Sequence, residues 1–97
     1  MITLTAIIHC KPGSEDRIRA ALLDVGDHAR ANEPGTVSFF VTEVEGKGIF
    51  VTHERFADRA AMEAHNAGAG SKGFFAAADG HLESVDVHVG GEVFRLR

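Results

Sequence analysis

The chain reads as an α+β domain in the order β-α-β-β-α-β, with a four-stranded antiparallel sheet and both helices on one of its faces. Three observations carry this expectation. Residues 82–89 (Leu-Glu-Ser-Val-Asp-Val-His-Val) alternate apolar and polar side chains, as a half-buried strand requires. Ile18, Ala21, Leu22, Val25 and Ala29 recur at helical spacing and form one apolar stripe. Gly and Pro punctuate the chain at Pro12-Gly13, Pro34-Gly35, Gly46-Lys47-Gly48 and Gly90-Gly91, where the pattern changes period.

Residues 2–10 carry Ile2, Leu4, Ile7 and Ile8 with Thr3 and Thr5 between them, which predicts a first strand that is apolar on both faces. Lys11-Pro12-Gly13 is a turn. Ser14 stands at the N-cap of the first helix, with Glu15 and Asp16 at its positive end. Gly26 costs that helix about 1 kcal/mol relative to Ala. The helix should end near Asn32, because Pro34 disfavours helical geometry at Glu33. Pro34-Gly35 suits the central positions of a type II turn. Residues 36–45 form the second strand by β-branched and aromatic content, Gly46-Lys47-Gly48 a short hairpin connection, and residues 49–56 the third strand. Asp58 caps a short helix through about Asn66. Gly68 and Gly70 interrupt it, and a further helical piece is expected from Ser71 to about Ala78. The fourth strand covers 82–89, Gly90-Gly91 break it, and Glu92 to Leu96 make a short extended tail.

With 97 residues the chain is expected to be one domain, residues 1–97. Its net charge of -4 and lack of a basic cluster argue against nucleic acid and against an anionic membrane surface as partners. No segment approaches the roughly 18–20 apolar residues that span a bilayer. The start Met1-Ile2-Thr3-Leu4-Thr5 lacks the basic residues of a signal peptide, and the single Cys10 points to a reducing compartment, so a cytoplasmic location is the default. The seven aromatic residues are all Phe, with no Trp or Tyr, so any aromatic pocket is apolar without a phenol or indole hydrogen bond.

Phe39 beside Phe40, Phe50 between Ile49 and Val51, and Ile7 beside Ile8 place apolar residues on both sheet faces. The helix-free face therefore needs a cover, and a second copy of the same sheet in a symmetric homodimer is the economical one.

The residues resemble a known family. Glu33-Pro34-Gly35 followed by a strand, the run Glu54-Arg55-Phe56-x-Asp58 continuing to Ala61-Met62-x-Ala64-His65, and the closing alternating strand are similar to the antibiotic biosynthesis monooxygenase domain of the dimeric α/β barrel superfamily. The resemblance covers nearly the whole chain. Members commonly carry Tyr-Glu-Arg-Trp where this chain has His53 to Phe56, and often a Tyr where it has Phe39. The resemblance implies a ferredoxin-like subunit, a partner sheet completing a dimeric barrel, and a pocket between sheet and helices. It implies a reaction among cofactor-free oxidation of quinols or polyphenols by O2, haem degradation, and isomerisation of a small phosphorylated dione. Non-catalytic ligand binding on the same scaffold is a further alternative. The haem-degrading members use a Trp, which this chain lacks.

A cofactor-free monooxygenase needs a dry aromatic slot and a base or hydrogen-bond partner for the substrate anion. Phe39, Phe56, Met62, Phe74 and Phe75 are the candidate slot for an aromatic small molecule. His65 is the candidate base or anchor: it follows Met62 by three residues, so both share one helix face, and an imidazole titrates near working pH. The plain alternative is a helix-end His satisfied by water or backbone. Glu54 shares the parity of Phe56 and is either a pocket acid or a structural partner of a nearby group. Asn66 either bonds a substrate oxygen or caps the helix. His53 has the opposite parity and should face the dimer interior. His9 and His88 are expected on terminal strands that are not neighbours, and His28 and His81 as solvated helix flanks. No His pair has i, i+2 or i, i+4 spacing, so no metal site is expected, and the resemblance implies no cofactor. Gly68-Ala69-Gly70-Ser71-Lys72-Gly73 lacks P-loop spacing and reads as a flexible break between helical pieces.

Overall fold

The computed structural model describes residues 1–97 as seven elements: β1 (Ile2–Cys10), α1 (Glu15–Asn32), β2 (Thr36–Val44), β3 (Ile49–Phe56), α2 (Arg59–Ala67), α3 (Ala69–Ala78) and β4 (Leu82–Gly91). The strands form one antiparallel sheet in the order β2-β3-β1-β4. This is the expected ferredoxin-like arrangement, with the second helical region divided into two helices. The terminal strands β1 and β4 are neighbours, contrary to the sequence expectation. Thr5 pairs with His88 and His9 with Ser84, so adjacency still does not bring the two His together.

The period of two sorts the sheet's faces. On β1, Leu4, Ala6, Ile8 and Cys10 are buried, and on β3, Phe50, Thr52, Glu54 and Phe56. These positions face the helices, where Ile18, Leu22 and Val25 of α1, Met62 of α2 and Phe74 of α3 complete one hydrophobic core. The polar pair Thr52 and Glu54 is the exception inside that apolar row, and it marks the site.

The punctuation departs from expectation in four places. Ser14 occupies the N-cap position of α1 but makes no capping bond; its Oγ pairs instead with His81 Nδ1 at 2.9 Å, so His81 is not simply solvated. Gly35 does not adopt positive φ, so the turn after α1 is not type II. Gly35 is required for a different reason: a Cβ there would stand 2.6 Å from Ala61 Cβ of α2. α3 begins at Ala69, earlier than Ser71, so Gly70 lies inside it. β4 continues through Gly90 and Gly91, which pair with Thr3 and Ile2, because β1 offers a ladder to the end of both strands. Asp58 caps α2 as expected, accepting from the Ala61 backbone N–H at 2.8 Å. No helix is long and apolar enough to cross a membrane.

Candidate functional site

Three elements bring three titratable side chains together. Strand parity turns Glu54 of β3 toward the helices. The Asp58 cap sets the phase of α2 so that Met62 and His65 both point inward and are buried. α1 stops at Asn32, and the turn that follows holds Glu33 beside α2, where its carboxylate accepts from Thr36 Oγ1 at 2.8 Å. His65, only 4% exposed, lies between the two acids: Nδ1 is 2.5 Å from Glu33 Oε1 and Nε2 is 3.1 Å from Glu54 Oε1. Behind Glu54, Thr52 Oγ1 donates to its Oε2 at 2.6 Å and accepts from the Ala6 backbone N–H at 2.9 Å. The His65 ring also packs on Phe56 at 5.2 Å between centroids and on Phe39 at 6.1 Å.

An imidazole with a carboxylate at each nitrogen satisfies both contacts by carrying both protons and donating twice. Burial alone pulls the His65 pKa down, but hydrogen bonds and charge from Glu54 and Glu33 outweigh it and hold the ring above its ordinary value. Burial pushes Glu33 up, and the hydrogen bonds from His65 and Thr36 with the nearby His65 and His28 charges bring it below the usual carboxylate range. With His65 protonated, the Glu33–His65–Glu54 triad carries one net negative charge. Glu33 Oε2 is buried without a hydrogen-bond partner, and His28 Nε2 stands 3.6 Å from it.

Glu54 and His65 form the polar end of a cavity of about 210 Å³. Its walls are apolar: Leu4, Ala6 and Ile8 from β1, Leu22 and Val25 from α1, Phe74 and Phe75 from α3, and Val85 and Val87 from β4. Asn66 and Ser71 lie at its rim, and Ser71 Oγ donates to the His65 carbonyl at 2.8 Å. Phe39 and Leu22 separate this cavity from a second hollow of about 350 Å³ between α1 and β2, where Gly26 faces the Phe39 ring. No Lys or Arg lines the first cavity. No group of three or more His, Cys, Asp or Glu is arranged to hold a metal ion.

Of the residues singled out in the sequence, His65, Glu54, Phe39, Phe74, Phe75 and Asn66 border the same cavity. Phe56 and Met62 do not: they are core residues, and Phe56, with no exposure at all, supports the far side of the His65 ring. His53 lies on the helix-free face, stacked on Phe40 with ring centroids 4.4 Å apart and the planes 12° from parallel. Glu33, named in the sequence only as part of the Glu33-Pro34-Gly35 motif, His28, expected as a solvated flank, and Thr52 were not singled out as site residues. Glu33 did carry a signal. An acid at a helix C-terminus opposes the helix dipole, so its place before Pro34 asks for a partner elsewhere, which His65 provides.

The sequence profile described as antibiotic biosynthesis monooxygenase matches residues 1–77. No curated protein matches the chain. Among solved structures, the fold is similar to that of a candidate antibiotic biosynthesis monooxygenase of Caulobacter crescentus, with a TM-score of 0.88, 21% identity, and coverage of 96% of this chain and 90% of that one. It is similar to a further candidate of that description from Nitrosomonas europaea, with a TM-score of 0.86, 18% identity, and coverage of 97% and 100%. It is also similar to Rv0793 of Mycobacterium tuberculosis, with a TM-score of 0.88, 23% identity, and coverage of 99% and 98%. At these identities the structural likeness speaks for the fold alone. The profile, spanning β1 to α3 with every member of the triad inside it, places the chain in the antibiotic biosynthesis monooxygenase family.

Proposed function

We propose that this protein is a monooxygenase that binds a quinol-like or polyphenolic small molecule in the cavity at Glu54 and His65 and oxidises it with O2, without a cofactor. The observation that carries this reading is the placement of His65 between Glu33 and Glu54 at the polar end of a cavity walled by apolar side chains, a group that holds one net negative charge when the imidazole is protonated and both acids are ionised. Such a site favours a neutral ring with an acidic hydroxyl. The proton moves to the triad, the negative charge moves to the ring, and the total charge in the cavity stays constant.

Both His65 nitrogens are occupied by carboxylates, so the acceptor facing the ligand is Glu54. A carboxylate offers about four lone-pair positions, and His65 and Thr52 use one each. A ring hydroxyl gives its proton to Glu54. The phenolate passes one electron to O2, and the resulting ring radical and superoxide combine at a ring carbon bearing hydrogen. The proton returns to the peroxide, and loss of water leaves a carbonyl at that carbon: phenol and O2 in, quinone and water out. His65 anchors Glu54, Phe39, Phe74 and Phe75 flank the ring, Asn66 bonds a second substrate oxygen, and the apolar walls together with the bound ring limit the access of water to the peroxide. The volume, below the roughly 300–1,000 Å³ of drug-sized ligand sites, fits a small ring system; a longer polycycle requires Phe39 to move. An isomerase of a phosphorylated substrate finds no cationic counter-charge in this cavity.

We further propose that a second copy covers the helix-free face, where Phe40 and Val44 are exposed, which makes the working unit a homodimer. The reading is tested by O2 consumption with reduced naphthoquinones, using protein stripped of metal and flavin. The expected result is one O2 consumed per hydroxynaphthoquinone formed, with water rather than hydrogen peroxide as the other product, lost in His65→Ala. Turnover that persists unchanged in that variant removes the triad from the reaction.

A further inference from the structure

The polar chain that begins in the cavity does not end at Glu33. Glu33 Oε1 is shared by His65 and Thr36, whereas Oε2 is buried without a partner and faces His28 Nε2 at 3.6 Å. His28 lies on α1, one turn before Glu33, with 31% of its side chain exposed. Its ring is held from two sides. Asn32 Nδ2 is 3.3 Å from its Nδ1, and Gly70 of α3 approaches so closely that a Cβ there would stand 2.9 Å from its Cδ2. The Gly inside α3 therefore leaves the space that the imidazole fills. The other charged pair on this stretch of α1, Arg30 and Asp27, is engaged with itself.

We propose that Glu54, His65, Glu33 and His28 form a proton path from the cavity to solvent, with His28 as its outer station. The inference rests on the cavity being a phenol site. Glu54 is 6% exposed and has apolar walls on its cavity side, while behind it a row of polar side chains leads through His65 and Glu33 to the partly exposed His28. As Glu54 takes the substrate proton, His65 passes its Nδ1 proton to Glu33, and Glu33 passes one through Oε2 to His28. Glu54 thereby holds the substrate proton, His65 is left neutral with its Nε2 proton toward Glu54, and His28 carries the proton that left the triad while the anion reacts with O2. The reverse sequence supplies the peroxide, so no net proton is consumed. The 3.6 Å gap exceeds the roughly 3.2 Å limit of an N–H···O bond, and a shift of a few tenths of an ångström in the Glu33 and His28 side chains, within the seat that holds the ring, closes it.

The test uses 4-nitrophenol, whose ionised form is coloured, mixed rapidly with the full chain in dilute buffer. The unsubstituted protein should bind it and ionise it. His28→Gln keeps size and polarity but cannot carry a proton. It should bind nitrophenol with unchanged affinity yet ionise it about tenfold more slowly, a modest share of what positioned proton transfer supplies. Added imidazole should restore the rate, which repair of a structural defect would not do. Equal ionisation rates in the two proteins, or a slowed rate that imidazole leaves unchanged, overturn the proton path. Failure of the unsubstituted protein to bind and ionise any nitrophenol overturns the phenol-site reading instead, and the path falls with it.

Discussion

His65 is the residue on which the site turns, and its surroundings give it a pH signature. Its folded-state pKa is raised above 6.5, so its contribution to stability is complete below 6.5 and is lost as pH rises through the raised value. The Glu33 pKa is lowered from 4.5, so its contribution is complete above 4.5 and is lost as pH falls through the lowered value. The two contributions are complete together only between 4.5 and 6.5. Urea unfolding across pH should show greatest stability in that window. His65→Gln should flatten the alkaline fall and cost about 1–3 kcal/mol inside the window, the range for a charged hydrogen bond at a buried group. An alkaline fall that survives in His65→Gln would assign it to another group. Much of this was legible: period two put Glu54 with Phe56, and period 3.6 put His65 with Met62. What joins them was not, because the third member, Glu33, lies in a turn with no periodicity to give its direction.

Elements hold these residues by close approach rather than by turn chemistry. Gly35 looked like a residue chosen for positive φ, yet its φ is ordinary and its Cα faces Ala61 of α2. Such a contact between segments far apart in sequence leaves no local mark, whereas the cap at Asp58 does. Gly35→Ala should force α2 away from the turn and cost about 1–3 kcal/mol, as overpacking does, with Ala61→Gly recovering most of the loss. A thermal melt of the single and double variants checks this; equal melting of Gly35→Ala and the unsubstituted chain would show that the two elements yield freely. Gly70 tells the same story on α3, where the sequence suggested a break and the structure uses the missing side chain to seat His28.

At the scale of the whole molecule, strand and helix order was readable from end to end, since each element carries its own period. Strand adjacency was not: β1 and β4 meet because of how the crossovers run, not because of any feature of either segment. The helix-free face is where the proposed second copy would pack. Phe40 is 55% exposed and stacks on His53, an arrangement that gains most when a second sheet covers it. Sedimentation equilibrium should give about twice the 10.4 kDa of one chain, and Phe40→Lys should return it to one, since an unpaired buried charge costs several kcal/mol. A single-chain mass before substitution would leave that face uncovered.

Proton removal from the ligand falls to Glu54, the one carboxylate of the triad that borders the cavity. Glu54→Gln keeps the shape and the hydrogen bond from His65 but cannot take a proton. Steady-state O2 uptake with a reduced naphthoquinone, compared between the two proteins, tests the claim directly. In Glu54→Gln kcat should fall about 10²–10⁴-fold, the range for loss of a positioned base, with KM changed only a few-fold. An unchanged kcat in Glu54→Gln would contradict it.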